Sequence, residues 1–180
     1  SSGTLDLTVN DTGPLSEAIT YYYRIIATDG VDTSISNTAA FAVPSTFDTA
    51  TLTDSSNLTS NSNIFTLTVQ PSAAISAGSS ITLSGLTGSV TSDNGSLSLG
   101  GANASIFSGS AGSWTQSTGT LVLTVASGQT LATGSDTVVT FTLTNPASGS
   151  GVTSVNLSST GFTTTSISGL FLEAAANKYN

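Results

Sequence analysis

The sequence contains no histidine, cysteine or methionine, and its 180 residues include only two bases, Arg24 and Lys178, against ten acids. The missing residue types are among the commonest acids, bases, nucleophiles and metal ligands of active sites. The many serines have no histidine to activate them. The acids are scattered singly, with no evident pair of the kind that cleaves glycosides. The sequence therefore predicts a protein that is not an enzyme and that has no catalytic residues.

Positive charge is almost absent, and the formal net charge is −8 at pH 7. Phosphate backbones would meet only two cations inside a negative field, which excludes nucleic acid as a direct partner. The same argument excludes an anionic membrane surface. No apolar run approaches the roughly 20 residues that span a bilayer, so we expect no membrane insertion.

The lack of methionine bears on the origin of the chain, and the lack of cysteine bears on its stability. Since Ser1 is not an initiator methionine, we expect a processed product or, in preference, a segment of a longer protein. Without disulfides, stability must come from burial and backbone pairing, and cysteine usage does not indicate a compartment. Serine and threonine make up about a third of the chain, far above ordinary usage. Because such Lys-poor β sequences are typical of secreted proteins, we predict an extracellular or cell-surface location.

Apolar and polar residues alternate with a period of two along the sequence, and no stretch combines a helical period with good helix formers. The hydrophobic content of 37% is enough to build a core. We therefore predict an all-β chain. The predicted strands cover residues 4–9, 19–28, 34–43, 50–53, 63–69, 80–84, 120–126, 137–144 and 152–158. The predicted turns between them include residues 93–95, 100–101, 127–129 and 148–151.

The alternation also predicts which residues face the core. Large apolar residues share one side of the strands at 63–69, 120–126 and 137–144, and threonine is the usual residue on the other side. Trp114, the only tryptophan, precedes the predicted strand that begins at Thr120 and is expected to fill the core between sheets.

Composition changes near Pro44-Ser45. The first part has three of the four tyrosines and one of the two bases, whereas the second has less charge and more Ser, Thr and Gly. We predict two modules, residues 1–44 and 45–168, followed by a connector at 169–180 that leads into a further unit.

One sequence pattern lies in the first module, where Leu15 stands six positions before Tyr21 and alternation then leads to a turn at Asp29-Gly30. The pattern resembles the last third of a fibronectin type III domain. The resemblance covers residues 1–43 and implies the last three of the seven strands of that sandwich. It also implies a tyrosine corner, in which the Tyr21 ring packs across the sandwich and its hydroxyl bonds back to the chain. The usual Pro-Gly of the corner is replaced here by Glu17-Ala18.

Three strands cannot close a sandwich. The remaining strands could come from upstream in a longer precursor, from packing on the second module, or from a neighbouring molecule. The second module resembles in style the Ser/Thr/Gly-rich β repeats of giant secreted and cell-surface proteins, notably over residues 112–125. The two resemblances together imply Ig-like or fibronectin type III-like β-sandwich modules in tandem.

Two kinds of modification or ligand site have candidates in the sequence. Asp29 and Asp32 flank a turn and could contribute oxygens to a calcium ion, although such turns are more often simply solvated. Asn-X-Ser/Thr sequons for N-glycosylation occur at Asn10, Asn57, Asn94, Asn103 and Asn156.

The near absence of charge also bears on function. Thr-rich strands without charged residues would leave adhesive edges, which natural β proteins block by charge, cover or pairing. Sugars on the hydroxyl faces, strand pairing in an assembly, or loops over the edges would each solve this problem. We predict a non-enzymatic extracellular structural protein that is glycosylated and associates with copies of itself as a fibre, coat or stalk. The alternative is an adhesin-type binding module that recognises a glycan or protein through loops such as 100–113.

Overall fold

The computed structural model describes residues 15–17, 19–28, 30–149 and 151–173. In these residues almost all regular structure is β, which confirms the all-β prediction. The strands are β1 Thr20–Tyr23, β2 Ile26–Thr28, β3 Thr33–Ile35, β4 Ala39–Ala42, β5 Phe47–Asp54, β6 Ser62–Pro71, β7 Ile75–Ser76, β8 Ser80–Ser84, β9 Asn94–Ser98, β10 Ala111–Thr115, β11 Thr120–Thr124, β12 Thr130–Leu131, β13 Thr137–Thr144, β14 Val152–Ser159 and β15 Thr165–Phe171. Two short 3-10 turns, Ala104–Ile106 and Ser108–Ser110, lie between β9 and β10. The strand predicted at 4–9 lies outside the described residues.

The chain divides into two compact units, Ser1–Val43 and Pro44–Asn180. In the first unit, β1 pairs with β4 and β2 pairs with β3, both antiparallel, so each of the two long predicted strands is interrupted once. Six positions separate Thr20 from Ile26, whereas seven separate their partners Ala42 and Ile35, so the returning strand carries one extra residue. An extra residue on one strand is the property of a β-bulge, which locally disrupts the ladder.

The second unit is built from two main antiparallel sheets. The larger has the strand order β15-β14-β8-β11-β10-β9, and the smaller has the order β13-β6-β5. Two short strands, β12 and β7, pair only with each other and belong to neither main sheet. The inner faces of the sheets share one apolar core, as expected for a sandwich. Its bulkiest members, each less than 2% exposed, include Trp114, Phe65, Phe107, Leu67, Ile81 and Leu121.

The predicted faces of the long strands are confirmed. Phe65, Leu67 and Val69 are buried on β6, and the alternate residues Thr66 and Thr68 are half-buried on the outer side. The corresponding apolar residues of β11 and β13 are also buried. Alternation on these strands follows from the two-residue period of extended backbone.

Several strands of the second unit were not predicted, namely β7, β9, β10, β12 and β15. The segment at 93–95 was predicted as a turn, but β9 begins at Asn94. The last strand, β15, continues to Phe171, and both Phe171 and Leu172 are buried in the core. Residues 169–172, which we expected to belong to a connector, are therefore part of the folded unit.

Candidate functional site

The sequence-predicted site residues are divided between the two units. Tyr21 and Leu15 belong to the first unit, whereas Trp114 and the described sequons belong to the second. Among the described residues no group of three or more His, Cys, Asp or Glu could hold a metal ion.

Tyr21 makes the type of bond that a tyrosine corner requires. Its hydroxyl accepts a hydrogen bond from the Ser16 N–H, with 2.7 Å between nitrogen and oxygen. Its ring stacks on Phe41, the residue opposite it on β4, at a centroid distance of 5.6 Å. Leu15 remains 37% exposed. The back-bond agrees with what the resemblance implies, and the resemblance itself stays a prediction.

The described part of the first unit exposes a large amount of apolar side chain. None of its described residues is buried. Tyr23 and Phe41 lie on the Tyr21 face, since they alternate with it or stand opposite it, and Tyr22 points to the other face. We call the following set the hairpin apolar surface: Leu15, Ile19, Tyr22, Tyr23, Ile25, Ile26, Val31, Ile35 and Phe41.

Trp114 is buried in the core and precedes the strand that begins at Thr120, as predicted, and it lies itself within strand β10, which was not predicted. Its Nε1–H donates a hydrogen bond to the Thr91 carbonyl oxygen at 3.0 Å. The polar atom of the indole is thus paired although the ring is buried.

The described sequons differ in accessibility. Asn57, Asn94 and Asn156 are exposed. Asn103 is half-buried, and its Oδ1 accepts a hydrogen bond from the Val138 N–H at 2.8 Å, so its side chain already has a structural partner. Asn10 lies outside the described residues. Exposure is necessary for a glycan, and it favours the first three positions over Asn103.

The calcium candidate is described only in part. Asp32 is exposed in the turn between β2 and β3, and Asp29 lies outside the described residues.

The outer edge of β13 is covered by the chain itself. Gly100 and Thr140 exchange two backbone hydrogen bonds of 2.8 and 2.9 Å. The Asn103 N–H donates to the Val138 carbonyl oxygen, and a threonine hydroxyl accepts the N–H of Thr144. A partner strand could pair here only by displacing these bonds. Loops therefore protect this edge, which is one of the three ways of blocking an adhesive edge given above.

Residues 100–113, the loop expected to bind a ligand in an adhesin, are held mainly by structural contacts. Gly100 and Asn103 bond to β13, Phe107 is buried, and residues 111–113 belong to β10.

An open cleft of about 640 Å³ lies close to the start of β9 instead. Its lining is polar and consists of Gly88, Ser89, Ser92, Asp93, Gln116 and Ser117. Sequence reasoning missed this cleft because its residues come from two segments more than twenty positions apart.

Hydrogen bonds join the two segments of the chain that line the cleft. Asp93 Oδ1 accepts the Gln116 backbone N–H at 2.7 Å, and the Gln116 side-chain amide donates to the Ser89 carbonyl oxygen at 3.0 Å. The arrangement offers hydroxyls, peptide groups and one carboxylate, and it can bind a polar molecule through hydrogen bonds.

Comparison with protein-family models, curated proteins and solved structures finds no match for this chain. In the described part of the chain, no helix has the length and apolar character needed to cross a membrane.

Proposed function

We propose that this chain is a segment of a non-enzymatic, extracellular structural protein, glycosylated, whose copies or adjacent repeats associate into a fibre, coat or surface stalk. The observation that carries the proposal is the hairpin apolar surface. No described residue of this unit is buried, so covering these side chains against a partner would stabilise it.

The size of this surface supports a protein partner. Large apolar residues have roughly 150–250 Å² of accessible area each, so nine of them exposed by 37 to 91% present on the order of 1,000 Å². A stable interface buries about 800 Å² on each partner. Because the area is divided between both faces of the hairpin, covering it takes contacts on both faces of each copy.

The outer faces of the second unit support an extracellular setting with attached sugar. Thr53, Thr66 and Thr140 lie side by side across the smaller sheet, on three neighbouring strands. Rows of hydroxyls without charge suit O-linked sugar, and the exposed Asn57 and Asn156 suit N-linked sugar. Sugar on these faces would leave the first unit as the surface for association.

Association can be tested on the full chain by sedimentation velocity and negative-stain microscopy over a range of concentrations. We expect concentration-dependent assembly of the natural sequence and its loss in a Tyr22→Ser, Ile35→Thr double variant. Val90→Thr is the matched control, because Val90 is similarly exposed in the second unit. A natural chain that stays monomeric at every concentration, with and without glycans, would overturn the proposal.

A binding module is the second candidate, and the polar cleft at Ser89, Asp93 and Gln116 favours it. Its hydroxyl, amide and carboxylate groups, without a large apolar side chain among the lining residues, fit a polyhydroxylated ligand such as an oligosaccharide. Binding to a glycan array that is abolished by Ser92→Val and Ser117→Val, with the fold intact by circular dichroism, would establish this function. Absence of binding to any glycan would reject it.

A further inference from the structure

Asn94 stands at the start of β9 and is followed by Gly95 and Ser96. Asn94 and Gly95 are both exposed. The Ser96 N–H donates a hydrogen bond to Asn94 Oδ1 at 2.9 Å. A side-chain oxygen bonded to the N–H two residues on forms an Asx turn, which folds the Asn94 amide over the peptide that joins it to Gly95.

This turn holds the Asn94 side-chain amide next to the backbone. Attack of the Gly95 nitrogen on Asn94 Cγ closes a five-membered ring, so the reaction is intramolecular. The turn also places an N–H donor at Oδ1, the oxygen that gains negative charge when Cγ is attacked. Gly95 has no side chain to hinder the attack, and a Cβ added there would meet no atom within 4 Å. β9 has a single neighbour, β10, because it ends the larger sheet.

We propose that Asn94 is a site of spontaneous deamidation through a succinimide. The Gly95 nitrogen gives its proton to hydroxide or water and bonds to Asn94 Cγ, which closes the five-membered ring. The Cγ–Nδ2 bond then breaks, and Nδ2 leaves with a proton as ammonia, which gives the succinimide. Water adds to one of the two ring carbonyls and breaks its bond to nitrogen. Hydrolysis at Cγ gives aspartate, and hydrolysis at the main-chain carbonyl gives isoaspartate.

The modification changes the edge of the larger sheet. A new carboxylate appears beside Asp93, whose own carboxylate already accepts the Gln116 N–H. Isoaspartate also adds one carbon to the main chain at Asn94, which pairs with Trp114. Both products weaken the contact between β9 and β10 next to the buried indole. The fluorescence of Trp114, the only tryptophan, therefore reports the change.

The other described sequons lack this combination. Asn57 and Asn156 are followed by leucine, whose side chain shields the next nitrogen, and Asn103 Oδ1 is bonded to the Val138 N–H of a distant strand. Asn94 is itself a sequon, and Nδ2 is both the atom that would carry sugar and the atom that leaves. Glycosylation and deamidation at Asn94 are therefore mutually exclusive.

The test uses the full, unglycosylated chain, incubated in mildly alkaline buffer and followed by peptide mapping and tryptophan fluorescence. We expect the Asn94 peptide to gain the mass difference between an amide and an acid, faster than any other asparagine peptide, with a parallel red shift of the emission. Gly95→Ala should slow this gain on the order of tenfold, because the added methyl group hinders attack.

Gly95→Ala is a suitable variant because the added Cβ is accommodated, and Asn94→Gln is a second, in which the ring that would form is larger and slower to close. Equal rates in Gly95→Ala and the natural chain would overturn the succinimide route. Faster conversion at any other asparagine would overturn the assignment to Asn94. An unchanged emission spectrum after complete conversion would overturn the proposed effect on the sheet.

Discussion

Asn63 donates a hydrogen bond from Nδ2 to Oδ1 of Asn145 at 2.9 Å, and both side chains are completely buried although they are 82 positions apart. Asn63 also donates to Asp54, and its Oδ1 accepts the backbone N–H groups of Ser55 and Ser56. The Asn145 amide donates in turn to two carbonyl oxygens of the loop after β5, at 2.9 and 3.0 Å. Among the described residues no buried side-chain polar atom lacks a partner, so this network is fully satisfied.

Replacing Asn145 with Ala should destabilise the second unit strongly. The substitution leaves the Ser56 and Leu58 carbonyl oxygens without their donor, and unsatisfied buried groups cost about 1–3 kcal/mol each. We expect the free energy of unfolding to fall by about 2–4 kcal/mol in urea denaturation followed by circular dichroism. Asn57→Ala, an exposed asparagine in the same loop, should change it by less than about 0.5 kcal/mol. Equal losses in the two variants would contradict the role of the network.

Two substitutions of Trp114 distinguish the contribution of its hydrogen bond to stability from the contribution of its packing. Trp114→Phe keeps a ring in the core but removes the donor to the Thr91 carbonyl oxygen, and we expect a loss of about 1–3 kcal/mol. Trp114→Ala also leaves a cavity, and its loss should be about 3–5 kcal/mol. Denaturation followed by circular dichroism measures both, since the fluorophore is removed. Similar losses in the two variants would mean that the indole contributes little by packing.

Sequence reasoning predicted the elements with strict alternation and missed those whose pairing depends on distant partners. The prediction at 80–84 coincides with β8 and that at 137–144 with β13, because alternating β-branched and apolar residues leave few other structures. β9 and β10 contain Gly and Ser, which have low β propensity, so their extended form comes from tertiary pairing.

The candidate sites divide in the same way. The Tyr21 back-bond is local in sequence and could be expected from the spacing of Leu15 and Tyr21. The polar cleft joins Asp93 to Gln116 across the β9–β10 pairing, and the Asn63–Asn145 bond joins β6 to the residue that follows its neighbour β13, 82 positions away. A local sequence pattern cannot predict such contacts, because they form only when the sheets have formed.

Substitution of Gly119 and Gly128 by alanine compares the loss of stability at two positions that both have positive φ. Both adopt left-handed backbone, with φ of 59° and 75°, so either Gly→Ala change incurs a strain of about 1–2 kcal/mol. At Gly128 the added Cβ meets nothing within 4 Å, whereas at Gly119 it would collide with the backbone of Leu86 and Thr87. We expect Gly128→Ala to cost about 1 kcal/mol and Gly119→Ala to cost 3 kcal/mol or more, measured by thermal unfolding. A Gly119→Ala variant as stable as Gly128→Ala would show that the close approach at Leu86 is absent in solution.

Trypsin offers a direct test of whether the hairpin surface is covered in an assembly. The enzyme cleaves after Arg and Lys, and Arg24 is the only such residue in the described part of the chain. Arg24 is exposed between β1 and β2, where the strand is interrupted. The backbone is most accessible to a protease at such a point. The monomer should be cut there rapidly, and assembled material should be cut at least about tenfold more slowly, because association buries Tyr23 and Ile25 on either side. Gel electrophoresis of timed digests gives both rates, with Arg24→Gln as the reference that keeps only the Lys178 site. If assembled and monomeric protein were cut after Arg24 equally fast, contact between copies would have to lie elsewhere than on the hairpin apolar surface.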